Sequence, residues 1–424
     1  MIDLLPPDDF GMSPKRLERI RGWLRSHVEA ERLAGASVLI NKGGQNIYYQ
    51  TAGYRDLESR KPIEPDTIFR IYSMTKPITT LAAMMLYEEG VFQLDDPIAR
   101  FLPKFEKMDM LVGGDADNPQ LEPARSLITM RQLMTHTSGL TYDFFKTSAV
   151  DALYRENGIT FSSAKGSLAD MVRRLAEQPL LFHPGDRWNY GFSTDVLGRV
   201  IEVMSGMPLD CFFKERIFEP LGMTDTAFRV DDARVDRFAA NYTSDSRPLP
   251  PAIGPEPTEL PPEQTGGLKL FDPAAGGSFT TPGNLPSGGG GLTSTTLDYL
   301  LFCRMLRNGG VLDGQRLIGR KTLDYMRTNH LPGTMADMGV PRFNNAHMGA
   351  GLGFGLGFAV ILDPVRSQTM GSTGEYFWTG MANTQFWMDP VEDLFVIQMA
   401  QLVPSAYVPL RRELRTFVYQ ALVD

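Results

Sequence analysis

The feature that most constrains this fold is a helix that is apolar on nearly every face. We expect it to begin near Ser73, with Pro77 in the first turn, and to end at Gly90. Its body, residues 80–87, is almost entirely apolar. A helix without a polar face must be covered on all sides. The chain has 424 residues, enough to build a core around this helix without disulfides or metals.

Composition and charge narrow the possible functions. The chain has 42% hydrophobic and 22% charged residues, which is typical of a globular protein and excludes disordered and fibrous classes. A formal net charge of −8 argues against a nucleic-acid partner, because such binding normally needs a basic face. The two cysteines, Cys211 and Cys303, lie far apart and indicate a reducing compartment. The five histidines are equally scattered, so we expect no metal site.

The amino terminus shows no sign of export. The segment MIDLLPPDDFGMS is acidic and broken by prolines, unlike a signal peptide. No stretch approaches the roughly 18 apolar residues that cross a bilayer. We therefore expect a cytoplasmic protein without a membrane partner, and nothing in the sequence points to an oligomeric state.

The order of the predicted elements suggests that one lobe is inserted into another. They are a helix from Ser13 to Leu33, a hairpin turning at Gly43 and Gly44, the central helix, helices at 194–204 and 295–306, strands at 352–362, 384–388 and 394–401, and a helix at 409–423. We expect Ser13 to cap the first helix. The two chain ends, 1–95 and 288–424, would form one α/β domain around a helical domain, 96–287. Residues 247–286 hold ten of the thirty prolines and form either a linker or an active-site wall.

A serine and a lysine three residues apart stand at the start of the central helix. Positions i and i+3 share one helix face, so the Ser73 hydroxyl can meet the Lys76 amine. Burial lowers the pKa of a lysine, and a neutral amine can accept the serine proton. The N–H groups at the helix start suit an oxyanion. The alternative is a helix cap beside a solvated lysine. A second copy of the spacing, Ser162 and Lys165, lies in a predicted surface loop.

Three further segments carry candidate chemistry. Tyr190 stands on a loop entering a helix, where it is either a proton relay or a packed aromatic. Trp378, Thr379 and Gly380 lie between two strand-like runs, where the glycine permits a close backbone approach or marks a bulge. His136 begins the segment HTSGL, for which a polar turn is favoured over a catalytic histidine.

Several common active-site motifs are absent. The sequence has no GxSxG, so the nucleophile elbow of the α/β-hydrolases is not present. It also lacks a phosphate loop and a dinucleotide fingerprint. Close backbone packing explains the four glycines at 288–291 better than phosphate binding does.

Five segments together resemble the serine β-lactamase and penicillin-binding-protein superfamily, and most closely the family VIII carboxylesterases, which are similar to class C β-lactamases. In the order of that family they are SMTK at 73–76, THTSGL at 135–140, YGFS at 190–193, SGGGGL at 287–292 and WTG at 378–380. The resemblance implies an α/β fold of the β-lactamase type, in the α+β arrangement. That fold has an antiparallel sheet flanked by helices and an inserted, mostly helical domain.

The same resemblance implies catalytic roles for matching residues. Ser73 would be the nucleophile, Lys76 its activating partner, and Tyr190 the general base and proton relay. The N–H groups of Ser73 and Met381 would form the oxyanion hole.

Two positions depart from the pattern of β-lactamases and D-Ala peptidases. The strand with Trp378, Thr379 and Gly380 would line the substrate site, together with Phe192. Trp378 replaces the lysine of KTG, and Phe192 replaces the asparagine of YxN. An aromatic ring cannot pair with a carboxylate but offers apolar contact to a neutral acyl chain.

We therefore expect a serine esterase that hydrolyses short-chain carboxylic esters through an acyl-enzyme, with a small-molecule ester as its partner and no cofactor. Whether Lys76 or Tyr190 is the acylation base stays open, and the two should titrate as coupled groups. Alternatives within the fold are a β-lactamase, an amidase or peptidase, and a transacylase. The alternative outside enzymes is a non-catalytic member that binds acyl or peptidoglycan-like ligands.

Overall fold

The helices and strands follow the chain in nearly the predicted order. The computed structural model describes residues 2–161, 166–244, 267–339, 348–405 and 408–423. The helices are α1 (Pro14–Glu29), α2 (Thr75–Glu88), α3 (Met130–Met134), α4 (Ala149–Glu156), α5 (Leu168–Leu175), α6 (Ser193–Ser205), α7 (Leu209–Phe213), α8 (Glu219–Leu221), α9 (Thr296–Arg307), α10 (Arg320–Met326) and α11 (Leu410–Tyr419). The strands are β1 (Gly35–Lys42), β2 (Gln45–Asp56), β3 (Lys61–Pro62), β4 (Ile68–Arg70), β5 (Asp109–Gly114), β6 (Pro119–Pro123), β7 (Asn241–Ser244), β8 (Leu268–Asp272), β9 (Thr293–Thr295), β10 (Val311–Leu312), β11 (Gln315–Arg316), β12 (Leu352–Phe354), β13 (Ala359–Ile361), β14 (Tyr376–Thr379), β15 (Gln385–Asp389) and β16 (Leu394–Ala400).

Both ends of the chain contribute to the main sheet. Within the described residues it has eight antiparallel strands in the order β12–β13–β14–β15–β16–β1–β2–β3. Strands β1 and β16 are neighbours, with Leu39 opposite Ile397. The α/β fold with an antiparallel sheet is thereby confirmed, whereas the domain boundaries at 95/96 and 287/288 stay predictions.

Successive side chains of β15 cover opposite faces of this sheet. Phe386 meets Tyr299 of α9, with ring centroids 5.1 Å apart. The next residue, Trp387, lies under the Arg415 guanidinium of α11, 4.7 Å from its ring centroid. This alternation follows the two-residue period of a strand. Helices therefore pack on both faces, and the strands β15 and β16 are buried along their whole length.

The helix predicted to be central is buried, but it begins later than predicted. Every residue from Thr75 to Leu86 is buried. Residues Tyr72–Met74 form a separate 3-10 turn before α2. The left-handed backbone of Tyr72, with φ +43°, keeps the helix from extending further toward the amino terminus.

Three local predictions need correction. The first helix ends at Glu29, because Glu31 takes a left-handed φ of +51°. Ser13 lies at its N-cap position, yet its side chain accepts no hydrogen bond from the helix. The run 352–362 is two paired strands, since Gly357 with φ +87° reverses the chain.

The hairpin is confirmed, with Gly43 and Gly44 at φ +60° and +82° between β1 and β2. Of the proline-rich segment, 247–266 lies outside the described residues, as does the second Ser–Lys copy at 162–165. No helix in the described ranges is both long and apolar enough to span a membrane.

Candidate active site

Ser73 and Lys76 meet at the start of α2, as their spacing predicts. Lys76 Nζ lies 3.2 Å from Ser73 Oγ and 2.6 Å from the Gly289 carbonyl oxygen. The lysine side chain is 1% exposed. Burial lowers its pKa from 10.5 to about 7, although the Asp195 carboxylate acts in the opposite direction. A large fraction of Lys76 is therefore neutral near pH 7 and can accept the serine proton.

The residue before the serine holds a strained backbone. Left-handed φ values are rare for bulky residues and cost free energy. Tyr72 keeps its φ of +43° because its hydroxyl accepts a hydrogen bond from Asn241 Nδ2 at 3.1 Å. Its ring also packs edge-on against Phe279. These contacts hold the turn that presents Ser73.

Tyr190 reaches the same pair from the loop before α6. Its ring packs against Trp378, with centroids 5.5 Å apart, and Lys76 Nζ lies 4.3 Å from its ring centroid. Burial raises the pKa of Tyr190 above its usual value near 10, more strongly than the neighbouring Ser73 and Trp378 side chains and the Arg411 charge lower it. Tyr190 is therefore a neutral phenol near pH 7.

Aromatic rings surround Tyr190. The rings of His136, Tyr142, Trp188 and Trp378 lie between 4.8 and 6.3 Å from it, centroid to centroid. Burial lowers the pKa of His136 well below 6.5, so this ring is neutral and packs against Tyr190. The polar turn predicted for its segment is present, with hydrogen bonds between Thr135 and Thr137 and between Ser138 and Ser193.

The strand β14 contributes Trp378 to this group. The indole is 7% exposed and packs 5.5 Å from Tyr190. Thr379 lies on the other face of the strand with Phe377, in a groove beside α11. The structure thus brings Trp378, but not the side chain of Thr379, to the Ser–Lys–Tyr group.

Gly380 lets the end of β14 approach the segment before the serine. A Cβ at this position would lie 2.1 Å from Thr384 Oγ1 and 2.5 Å from the Ile71 carbonyl oxygen. The close approach predicted for this glycine is therefore made to the protein's own backbone. The following residue, Met381, packs in a cluster with Tyr72, next to the serine.

Phe192 is buried among aromatic side chains. Its side chain is 1% exposed, and its ring packs 4.6 Å from Tyr142 and 6.0 Å from Tyr154. Tyr142, which the sequence did not single out, contacts both Phe192 and Tyr190. The predicted contact of Phe192 with substrate stays a prediction.

The glycines at 288–291 pack closely, as predicted. A Cβ on Gly288 would lie 2.7 Å from the Thr194 carbonyl oxygen, and one on Gly289 would lie 2.4 Å from Asp195 Oδ2. This segment therefore packs between the two helices: it contacts α2 through Lys76, and it contacts α6 through Thr194 and Asp195.

Sequence reasoning missed two charged neighbours of the site. Asp195 of α6 is 1% exposed and acts on the pKa of Lys76. A carboxylate in the first turn of this helix, five residues after Tyr190, is the signal that could have identified it. Arg411 of α11 donates to the Gly380 carbonyl oxygen at 3.3 Å, and no local signal marks it.

The described residues contain no group of three or more His, Cys, Asp or Glu side chains arranged to hold a metal ion.

This chain is similar to known proteins along nearly its whole length. A family model described as Beta-lactamase matches residues 20–420. Protein Rv1367c of Mycobacterium tuberculosis is 33% identical over 389 residues, covering 91% of this chain and 90% of that protein. Esterase EstB of Burkholderia gladioli is 32% identical over 428 residues, covering 98% of each. The solved structure of EstCE1, a hydrolase with promiscuous acyltransferase activity, has a TM-score of 0.77 and 29% identity, covering 96% of this chain and 99% of its own. The family match and the near full-length relatives show that this chain belongs to the β-lactamase family, as its five segments indicated.

Proposed function

We propose that this chain is a serine esterase that hydrolyses short-chain carboxylic esters through an acyl-enzyme on Ser73, like the family VIII carboxylesterases. The observation that carries the proposal is the buried Lys76 amine, 3.2 Å from Ser73 Oγ, with a pKa of about 7. Tyr190 completes the group from the other side. The relatives named esterase and hydrolase support this reaction class.

Acylation begins with proton transfer from Ser73 to the neutral amine of Lys76. The serine oxygen forms a bond to the ester carbonyl carbon, and the carbonyl electron pair moves onto its oxygen. We assign the base role to Lys76 because its lowered pKa makes it a proton acceptor, whereas Tyr190 starts as a phenol. When the C–O bond of the ester breaks, Tyr190 protonates the leaving alcohol, and the Lys76 ammonium replaces that proton.

The negative oxygen of the tetrahedral intermediate needs preorganised N–H donors. The N–H groups of Ser73 and Met381 are the proposed oxyanion hole. The packing of Met381 beside Tyr72, and the close approach of Gly380 to Ile71, support this pairing.

Deacylation repeats the sequence with water in place of serine. Water attacks the acyl carbonyl carbon and gives its proton to the same Lys–Tyr pair. The ester bond to Ser73 breaks, the serine oxygen regains a proton, and the carboxylic acid leaves.

The proposed partner is a small, neutral ester, because Trp378 offers this site an apolar surface. The unpaired Cys211 and the unpaired, buried Cys303 support a reducing, cytoplasmic location. The net charge of −8 supports the absence of a nucleic-acid partner.

A fluorophosphonate probe tests the proposal directly. We expect one adduct by intact mass, mapped to the peptide with Ser73. The Ser73→Ala variant should lose both the adduct and ester hydrolysis. The matched control is Ser162→Ala, in the second Ser–Lys copy, which should keep both. Full activity in Ser73→Ala would exclude this nucleophile.

Acyl transfer is the second candidate function, because the EstCE1 structure is described as a hydrolase with promiscuous acyltransferase activity. Adding a short alcohol during ester turnover separates the two. A new ester that outcompetes the released acid at millimolar alcohol would favour a transferase. Turnover of cephalosporin and amide substrates in parallel tests the remaining alternatives.

A further inference from the structure

A buried carboxylate lies beside Lys76 without a role in the steps above. Asp195 Oδ1 accepts hydrogen bonds from Ser287 Oγ at 2.5 Å and from the Gly289 N–H at 3.1 Å. Its second oxygen, Oδ2, has no hydrogen-bond partner among the described residues. A half-satisfied buried carboxylate is costly, which makes its place here informative.

Gly289 connects this carboxylate with the lysine. Its N–H donates to Asp195, and its carbonyl oxygen accepts from Lys76 at 2.6 Å. The absence of a side chain lets Asp195 Oδ2 come close, since a Cβ there would lie only 2.4 Å away. The Tyr142 hydroxyl lies 3.1 Å from that same Cβ position. Two buried oxygens thus converge on the glycine that holds Lys76.

We propose that Asp195 is a positioning residue of the esterase reaction, acting as counter-ion to the ammonium that forms when Lys76 accepts the Ser73 proton. It also fixes Gly289, whose carbonyl orients the lysine. This inference rests on the proposed function, and it adds a group that does not touch substrate.

The charges around Lys76 support this role. The groups that face it are His136, Tyr142, Tyr190 and Asp195. Burial raises the pKa of both tyrosines and lowers that of His136, so these three are neutral near pH 7. Asp195 is then the negative charge that faces the ammonium. Burial raises its own pKa, while Lys76, the Ser287 hydroxyl and the Gly289 N–H lower it.

The test is the pH dependence of kcat/KM for p-nitrophenyl acetate. Asp195→Asn keeps the size of the side chain and the acceptor for Gly289 but removes the charge. Losing an opposite charge should move the acidic limb down by about one pH unit and lower the plateau. Asp195→Glu, which keeps the charge, should restore the wild-type limb. A limb that does not move in the Asn variant would overturn the inference, even if activity falls at every pH.

The matched control is Asp298→Asn, which removes another buried carboxylate, on α9, whose pKa burial raises to about 6. It should leave the acidic limb unchanged. If it moved the limb as Asp195→Asn does, the limb would not report Asp195. The Asn variant at 195 should fold, because it removes a buried charge. If both it and the smaller Asp195→Ser fail to fold, Asp195 is structural and the inference is wrong.

Fluorophosphonate labelling of the wild type separates this inference from the proposed function. A wild type that neither labels at Ser73 nor hydrolyses esters would contradict both. A wild type that does both, with an acidic limb that Asp195→Asn leaves in place, would contradict this inference alone.

Discussion

Burial moves the proton affinities of the two site bases in opposite directions. It lowers the pKa of Lys76 to about 7 and raises that of Tyr190, because each loses water around its charged form. Near pH 7, Tyr190 is then neutral and a large fraction of Lys76 is neutral as well, so this fraction can pass a proton without a preformed ion. The burial that covers the apolar helix α2 thus also lowers the pKa of Lys76, the proposed proton acceptor for Ser73.

The Tyr190→Phe variant tests the hydroxyl apart from the ring. The ring keeps its packing against His136, Trp188 and Trp378, so thermal unfolding should stay close to wild type. Removing an acid–base group should lower kcat by about 10²–10⁴-fold. A kcat within about threefold of wild type would make Tyr190 a packing residue.

Trp378 is expected to set the preference for neutral substrates. Each buried CH₂ of an acyl chain gains about 0.8 kcal/mol, whereas burying an unpaired carboxylate costs several kcal/mol. Neutral p-nitrophenyl esters of about two to six carbons should therefore be better substrates than penicillins. Wild-type enzyme that prefers penicillins to p-nitrophenyl butyrate would contradict this.

Trp378→Lys introduces the cation that the β-lactamases have at this place. The ratio of kcat/KM should shift toward carboxylate-bearing cephalosporins and away from neutral esters. Trp378→Phe, which keeps an aromatic ring, is the control and should retain the preference for esters. A folded Lys variant with an unchanged ratio would show that Trp378 does not select substrates.

At the scale of elements, the site depends on how closely β14 approaches the turn before α2. Gly380 permits this approach, because its missing Cβ leaves room for the Ile71 carbonyl oxygen. The strand in turn is held from behind by α11, through Arg411 and the Gly380 carbonyl. The end of β14 therefore lies beside the Ser73 turn because of how the strand packs, and not only because of which residues it carries.

Gly380→Ala should displace the end of β14 from the Ser73 turn. Because a shift of about 1 Å can cost on the order of 10²-fold in rate, kcat should fall by about that factor. The control is Gly22→Ala on the exposed face of α1, where an added Cβ meets nothing within 4 Å. It should leave kcat unchanged and raise the free energy of unfolding by up to about 1 kcal/mol. Equal kcat in both variants would argue against the contact.

At the scale of the whole molecule, segments distant in sequence close the fold. The strands from residues 352–400 and those from residues 35–62 each lie in chain order, and the pairing of β16 with β1 joins them into one sheet. Asp298, at the start of α9, links this helix to a segment about 70 residues earlier in the chain. Its carboxylate accepts hydrogen bonds from the Asp225 N–H and the Thr226 hydroxyl. A change in these hydrogen bonds should therefore appear in the free energy of unfolding of the whole protein.

Asp298 should make stability depend on pH. Burial raises its pKa from 3.8 to about 6, so folding takes up a proton between these values. Its contribution is fully present below about pH 4 and is lost as pH rises through 6. A difference of about 2 units corresponds to about 3 kcal/mol. The free energy of unfolding of Asp298→Asn should therefore gain on wild type by up to that amount from pH 4 to pH 7. Denaturant curves showing a constant difference would contradict this.

The sequence by itself determined most helices and strands and the Ser73–Lys76 pair, because these depend on residues close together in the chain. The apolar run places α2 in the core, and Gly43 and Gly44 close the first hairpin. Ser73 and Lys76 meet because residues i and i+3 align across the 3-10 turn that leads into α2. The order of five segments was enough to indicate the family, which the match over residues 20–420 confirms.

The tertiary structure alone decided which side chains surround the Ser73–Lys76 pair. It brought Asp195 and Arg411 to the site, put Tyr142 in contact with both Phe192 and Tyr190, and pressed Gly380 against the chain before Ser73. These contacts depend on packing between elements far apart in the chain, so no local sequence pattern predicts them. The pKa values that set the chemistry depend on burial by those same elements, so they too exist only in the folded molecule.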